Sequence, residues 1–299
     1  MSQMTRRQLL QHSSAAALAP LLGAATPLAA QAAVGGASSV TAAPVPRKGR
    51  IRQSVSRWCY KGLTLDQLCA AAAQLGLQGI DLLQPEEFEV PARYGLRCTM
   101  GYAGAGEINR GLNRLENHAA IEAGLRQNLP ALQHAGVTDV ITFSGLREGL
   151  SDAEGARNTI LGLRRLLPIL QDHGLTIHLE LLNSKRDHPG YMCDFTAWGV
   201  EVAAAVSSPH VKLLYDIYHM QIMEGDLIQT IRSNAAWIGH YHTGGVPGRH
   251  ELDDTQEVQW PAVMRAIVAT GFQGYVAHEF VPSRDPLTSL AEAVTLCDV

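Results

Sequence analysis

"DHGLTIHLELLN" (172–183) carries the architecture in miniature: a helical pattern closes on Gly174, and a short β-rich run follows at once. Glycine closes helices because it enters the left-handed conformation without a Cβ clash. The same order recurs at Gln74-Leu75-Gly76 before Gly79-Ile80-Asp81-Leu82, and at His134-Ala135-Gly136 before Val140-Ile141-Thr142-Phe143. It appears again at Ala269-Thr270-Gly271 before Gly274-Tyr275-Val276-Ala277. Strands that alternate with helices of ten or more residues indicate βαβ units and a parallel sheet.

Working outward from this rhythm, eight strands are expected at 51–56, 79–83, 96–102, 138–143, 175–182, 211–217, 237–243 and 274–280. Helical patterns lie near 64–75, 116–135, 153–172, 194–206, 226–235 and 259–270, with a last one from 287. The link between the second and third strands, "PEEFEVPARYG" (85–95), is poorly helical and carries two prolines. Eight strands over roughly 250 residues fit a single (β/α)₈ TIM barrel, an α/β fold, spanning 50–299. A doubly wound open sheet is the alternative, but its Gly-rich dinucleotide turn is missing. "GYAGAGEIN" (101–109) has its glycines in the wrong order for that turn and reads as a mobile loop over the barrel mouth.

The N-terminus reads differently. Arg6-Arg7 precedes an apolar, Ala-rich stretch (15–28), and Ala30-Gln31-Ala32 resembles a cleavage site. These are the three parts of an export signal, and the arginine pair points to the twin-arginine route and a periplasmic protein. Residues 1–32 are therefore read as a signal peptide and 33–49, rich in Ala, Gly, Ser and Pro, as a flexible linker. The apolar stretch is too short and broken for a stable membrane span. A net charge of -4, with no Lys/Arg run in the barrel, argues against a nucleic-acid binder. Five cysteines without a C-x-x-C pair read as small buried apolar residues rather than a zinc-thiolate site. A homo-oligomer is compatible with all of this.

In a TIM barrel, catalytic groups sit at the C-terminal ends of strands. Strand five ends in "LELLN" with Glu180, strand six in "YDIYH" with Asp216 and His219, strand seven in "GHYHT" with His240 and His242, and strand eight in "VAHEF" with Glu279. A carboxylate flanked by leucines is costly to bury without a partner. Three carboxylates and one imidazole on four consecutive strand ends suggest a shared divalent cation. The oxygen-rich set suits Mn²⁺ or Mg²⁺, with Co²⁺ or Zn²⁺ as alternatives. His178, His219 and His240 read equally well as orienting partners or as packing.

With these residues in hand, "KLLYDIYHMQIMEGDLIQTI" (212–231) and "IGHYHTGGVPGRHELDD" (238–254) resemble the hydroxypyruvate isomerase branch of the xylose isomerase-like barrels. "LELLN" (179–183) and "YVAHEF" (275–280) fit the same pattern. The resemblance implies a metal site on Glu180, Asp216, His242 and Glu279. It also implies that Glu180 and Glu279 exchange the substrate proton through an enediolate, and that His219 and Arg249 face the substrate. Glu251, Lys61 and Glu107 are further candidates on the substrate side. The implied reaction is isomerisation of a small keto or aldehyde hydroxy acid, such as hydroxypyruvate and tartronate semialdehyde. His242 departs from that branch, which has glutamine there, and matches the ketose 3-epimerases instead. Two rival readings are an endonuclease IV-like metal-dependent hydrolase, which needs several zinc ions, and an exported sugar-binding barrel without turnover.

Overall fold

The structure, a computed structural model, describes residues 47–299. The expected signal peptide and most of the expected linker lie outside the described residues. At the linker's end, the backbone N–H groups of Lys48 and Gly49 donate to the Asp298 carboxylate at 2.8 and 3.1 Å.

Eight parallel strands close into one barrel in sequential order. They are β1 (Arg52–Ser56), β2 (Gly79–Leu83), β3 (Arg97–Gly101), β4 (Asp139–Thr142), β5 (Thr176–Glu180), β6 (Val211–Asp216), β7 (Ile238–Thr243) and β8 (Tyr275–His278). All eight expected strands are present. The open-sheet alternative fails because β1 pairs with β8 as well as β2.

Around the barrel run α1 (Leu65–Gln74), α2 (His118–Ala135), α3 (Asp152–Asp172), α4 (Thr196–Val206), α5 (Ile217–Met223), α6 (Leu227–Asn234), α7 (Trp260–Ala269) and α8 (Pro286–Cys297). Local chemistry marks their ends. Thr64 and Gln67 form a reciprocal capping box at the start of α1, and Ser151 caps α3. The four glycines of the recurring motif have φ of +73° (Gly76), +66° (Gly136), +62° (Gly174) and +77° (Gly271). Each occupies the left-handed conformation that the sequence pattern demands.

The β2–β3 link contains two short 3₁₀ turns, Pro85–Glu87 and Val90–Tyr94, in place of a barrel helix. Helix α5 is absent from the sequence reading. It follows β6 without a loop, and its seven residues are too few to show a periodic pattern. The Asp216 side chain accepts the His219 N–H at 3.1 Å and so caps this helix directly from the strand end. All five cysteines are free and buried. No helix among the described residues is long and apolar enough to cross a membrane.

Candidate active site

The barrel geometry brings the four expected ligand residues together. Glu180 and Asp216 are the last residues of β5 and β6, His242 is the penultimate residue of β7, and Glu279 immediately follows β8. One ligand atom from each falls within 4.8 Å of all the others, and all four side chains are buried. Asp216 and His242 are direct register partners across β6 and β7, which fixes their separation through the sheet itself.

The state of His242 tests whether a cation fits here. Its Nε2 lies 2.8 Å from Asp81 Oδ2, deep in the barrel. An ionised carboxylate only accepts, so Nε2 carries a proton and Nδ1 is the ring nitrogen that faces the cluster. Burial opposes a second ring proton, but Glu279 and the other carboxylates win and raise His242 well above its ordinary value, so a cation at Nδ1 would take the place of that proton. Nδ1 is buried and has no hydrogen-bond partner. Glu279 Oε2 is 2.6 Å from it, but off the line of a hydrogen bond. Glu180 Oε1 and Asp216 Oδ2 lie 3.5 and 3.9 Å away. An orphaned nitrogen facing three carboxylates is a donor set suited to a divalent cation.

The electrostatics follow from this crowding. Burial, followed by the neighbouring Glu279, pushes Glu180 upward. Burial likewise raises Asp216. Burial opposes the charge of Glu279 too, yet Arg249 and His242 outweigh it and hold that carboxyl down at about 2. Asp81 is fully buried and still held well below the usual carboxylate range, because His240 and His242 overcome the cost of burial.

Arg249 closes the cluster from the loop after β7. Its guanidinium donates to Asp216 Oδ2 at 2.7 Å and pairs with Glu279. It lies over Tyr218 and Trp58, 5.0 and 5.5 Å from the ring centroids. His219 is buried beside it. The ring Nδ1 of His219 accepts the Asn183 backbone N–H at 3.1 Å, which puts the ring proton on Nε2, 2.8 Å from Arg249 Nη1. Two donors therefore face each other, a pairing that an acceptor oxygen in the cavity would relieve.

A sequence model of the xylose isomerase-like TIM barrel matches residues 60–297. The chain is also 31% identical to 2-oxo-tetronate isomerase of Cupriavidus necator, over 73% of this chain and 87% of that protein. The chain belongs to the xylose isomerase-like TIM-barrel family. It is 26% identical to a human chain provisionally named hydroxypyruvate isomerase, over 78% of this chain and 90% of that one. Among solved structures it resembles one titled AP endonuclease, family 2, from Brucella melitensis. That similarity has a TM-score of 0.70 and 26% identity, covering 81% of this chain and 98% of that one.

Within this xylose isomerase-like barrel, several site residues escaped the sequence reading. Trp58, after β1, donates its indole N–H to Glu279 Oε1 at 2.5 Å. Nothing in its sequence neighbourhood signals this. Asp81 could have been found, since it sits in the apolar run "GIDLL" (79–83) just as Glu180 sits between leucines. Asp187 and His188 line the cavity above the four ligands. Of the remaining histidines, His240 lies 3.2 Å from Asp81 Oδ1, while His178 bonds Asp139 at the start of β4, at the other end of the barrel.

Asp81, His240 and His242 form a second group within ligating distance of one another. Asp81 is already engaged with the first group: Thr99 donates to its Oδ1 at 2.6 Å, and the His242 ring donates to its Oδ2. This group orients the first rather than duplicating it. Lys61 is exposed, outside the cavity above the ligands, and Glu107 lines a neighbouring cavity.

Glu251, a further candidate on the substrate side, turns away from the mouth. Its carboxylate accepts from Ser283 N and Oγ at 2.9 and 2.8 Å and from Ser289 Oγ at 2.8 Å, tying the β7–α7 loop to the start of α8. Burial opposes its charge, but these hydrogen bonds win and lower it from 4.5 to about 2. A depressed carboxylate contributes stability above its ordinary value and loses it as pH falls toward the folded value. Between pH 5 and pH 3, wild-type unfolding free energy should therefore fall by about 1–2 kcal/mol more than that of Glu251→Gln. Parallel urea titrations would check this; identical pH slopes would contradict it.

Proposed function

We propose that the protein is a metal-dependent isomerase of hydroxy-carbonyl compounds, a class that runs from hydroxypyruvate and tartronate semialdehyde to ketoses. The observation that carries this reading is the convergence of two glutamates, one aspartate and the unpartnered Nδ1 of His242 at one end of the barrel. The names of the Cupriavidus and human relatives support it.

Glu180, Asp216, His242 and Glu279 would hold the cation, with Mn²⁺ or Mg²⁺ favoured by the oxygen-rich set. The bound ion would supply a Lewis acid that polarises the substrate carbonyl. Glu180 and Glu279 then act as a proton-transfer pair. One takes the proton from the hydroxyl-bearing carbon beside the carbonyl, the other delivers a proton to the former carbonyl carbon, and the hydroxyl proton passes to the former carbonyl oxygen. Arg249 and the His219 Nε2–H donate to the oxygen on which charge develops. Trp58 and Tyr218 flank the guanidinium and limit its contact with water.

A second reading, ketose 3-epimerisation, is favoured by the histidine at position 242. It needs only that the proton return to the opposite face of the same carbon. Hydrolysis of the endonuclease IV type predicts three zinc ions per chain. Export to the periplasm, read from residues 1–32, completes the proposal.

The test is incubation of the metal-loaded protein in D₂O with hydroxypyruvate, 2-oxo-tetronate and a panel of ketoses. Metal-dependent deuterium incorporation beside the carbonyl, seen by NMR, is the expected result. No incorporation in any of them, together with three zincs per chain, would overturn the isomerase reading.

A further inference from the structure

Two cavities open side by side at the barrel mouth. The inner one, about 460 Å³, contains Glu180, Glu279 and Arg249. The outer one, about 400 Å³, lies under the β3–α2 loop. Tyr102, Ile108 and Phe143 line both, so the two spaces share a wall. At about 30 Å³ for each water-sized group, the inner space alone takes about fifteen non-hydrogen atoms. A three- or four-carbon keto acid leaves a large part of it, and all of the outer cavity, to water.

The chemistry of the outer cavity narrows what it can take. Its polar lining includes Gln84 and Asn109, which are uncharged, and Glu107, which is acidic. No lysine, arginine or histidine lines it. A carboxylate or phosphate placed there would meet no cation and would be repelled by Glu107. Tyr102, Phe143 and Ile108 offer apolar faces instead, with a few amides and hydroxyls at their edges. Apolar walls with sparse neutral polar groups suit an uncharged ring that presents both CH faces and hydroxyls. The cationic end of the site is confined to Arg249 in the inner cavity; burial and that same arginine lower the His188 imidazole and keep it neutral.

We propose that the outer cavity is a second subsite that binds an uncharged sugar ring, so that the preferred substrate is a glycosylated ketose rather than a short keto acid. The reacting hydroxy-ketone occupies the inner cavity and its glycosyl substituent the outer one. The identification of the inner end as the reacting end rests on the isomerase reading above; the presence of the second subsite does not.

Calorimetric titration of the full, Mn²⁺-loaded chain with isomaltulose, D-fructose and hydroxypyruvate tests this. Isomaltulose, a ketose carrying one glucosyl unit, should bind at least tenfold more tightly than the other two. Asn109 is exposed, so Asn109→Trp can fill the outer cavity without disturbing the core. It should reduce the preference for isomaltulose over fructose at least tenfold. Glu107→Lys should shift affinity toward D-fructose 6-phosphate. Equal or tighter binding of hydroxypyruvate, or a preference unchanged by Asn109→Trp, overturns the proposal. Deuterium exchange measured on the same samples separates the two readings. Binding in the expected order without exchange removes the isomerase and keeps the subsite. Exchange with hydroxypyruvate, together with no preference for isomaltulose, does the reverse.

Discussion

Glu180→Gln is expected to slow exchange of the substrate proton with solvent by about 10²–10⁴-fold, the usual worth of a positioned general base. Glutamine keeps the shape of the side chain and one oxygen for the cation, but it cannot take up a proton. The fold should survive, because Glu180 is the looser of the two carboxylates: its near neighbour is His242 Nδ1 at 3.5 Å. Glu279 is gripped from several sides, by Trp58 at 2.5 Å, by His242 and by Arg249. Glu279→Gln should therefore cost both proton exchange and metal affinity, while Glu180→Gln costs mainly exchange. Single-turnover exchange in D₂O and metal titration against a fluorescent chelator read the two effects separately. Wild-type exchange rates in both variants would exclude the glutamate pair.

Asp81 is the second strong test. It lies in the middle of β2, is fully buried, and accepts the Nε2–H of His242 at 2.8 Å. It thereby fixes a proton on Nε2 and leaves Nδ1 as the nitrogen for the cation, and a carboxylate behind a ligating histidine also raises its basicity. Asp81→Asn can still accept one hydrogen bond but has lost the charge. It should bind Mn²⁺ about 10–100-fold more weakly. Asp81→Leu leaves the His242 N–H and the Thr99 hydroxyl without an acceptor in the barrel interior. Its apo form should lose about 3–5 kcal/mol of stability. Chelator competition measures the first effect and urea unfolding of the apo protein the second. Wild-type metal affinity in Asp81→Asn would show that the pair only fills space.

These two residues also mark how far the sequence could be read. Glu180 was legible because its signals are local: a glycine closes α3, β5 follows, and a carboxylate stands among leucines at the strand's end. Asp216, His242 and Glu279 were legible from barrel anatomy alone, as ionisable residues at the C-terminal ends of β6, β7 and β8. Asp81 carries the same cue, a carboxylate in an apolar strand, but sits in mid-strand where no rule of barrel anatomy draws attention to it. Helix α5 was missed for a different reason. The Asp216 side chain caps it from the end of β6, so "YDIYH" reads as a continuing strand. Glu251 stands in the same "GRHE" run as Arg249, and only the fold shows that one turns toward the mouth and the other toward α8.

What the amino-acid order determined by itself was the number of strands, their sequence around the barrel and the four side chains at their ends. Hydrophobic period and glycine closure act over a few residues, and a closed parallel barrel leaves little freedom once eight such units are counted. What only the tertiary structure decided was the surroundings of those four. Asp81 reaches His242 across 161 residues of chain, and Trp58 reaches Glu279 across 221. Both contacts exist because the barrel closes on itself, and no local pattern encodes which distant side chains that closure brings face to face. The size of the outer cavity and its lack of cations belong to the same class, since its lining is drawn from segments that follow β2, β3 and β4.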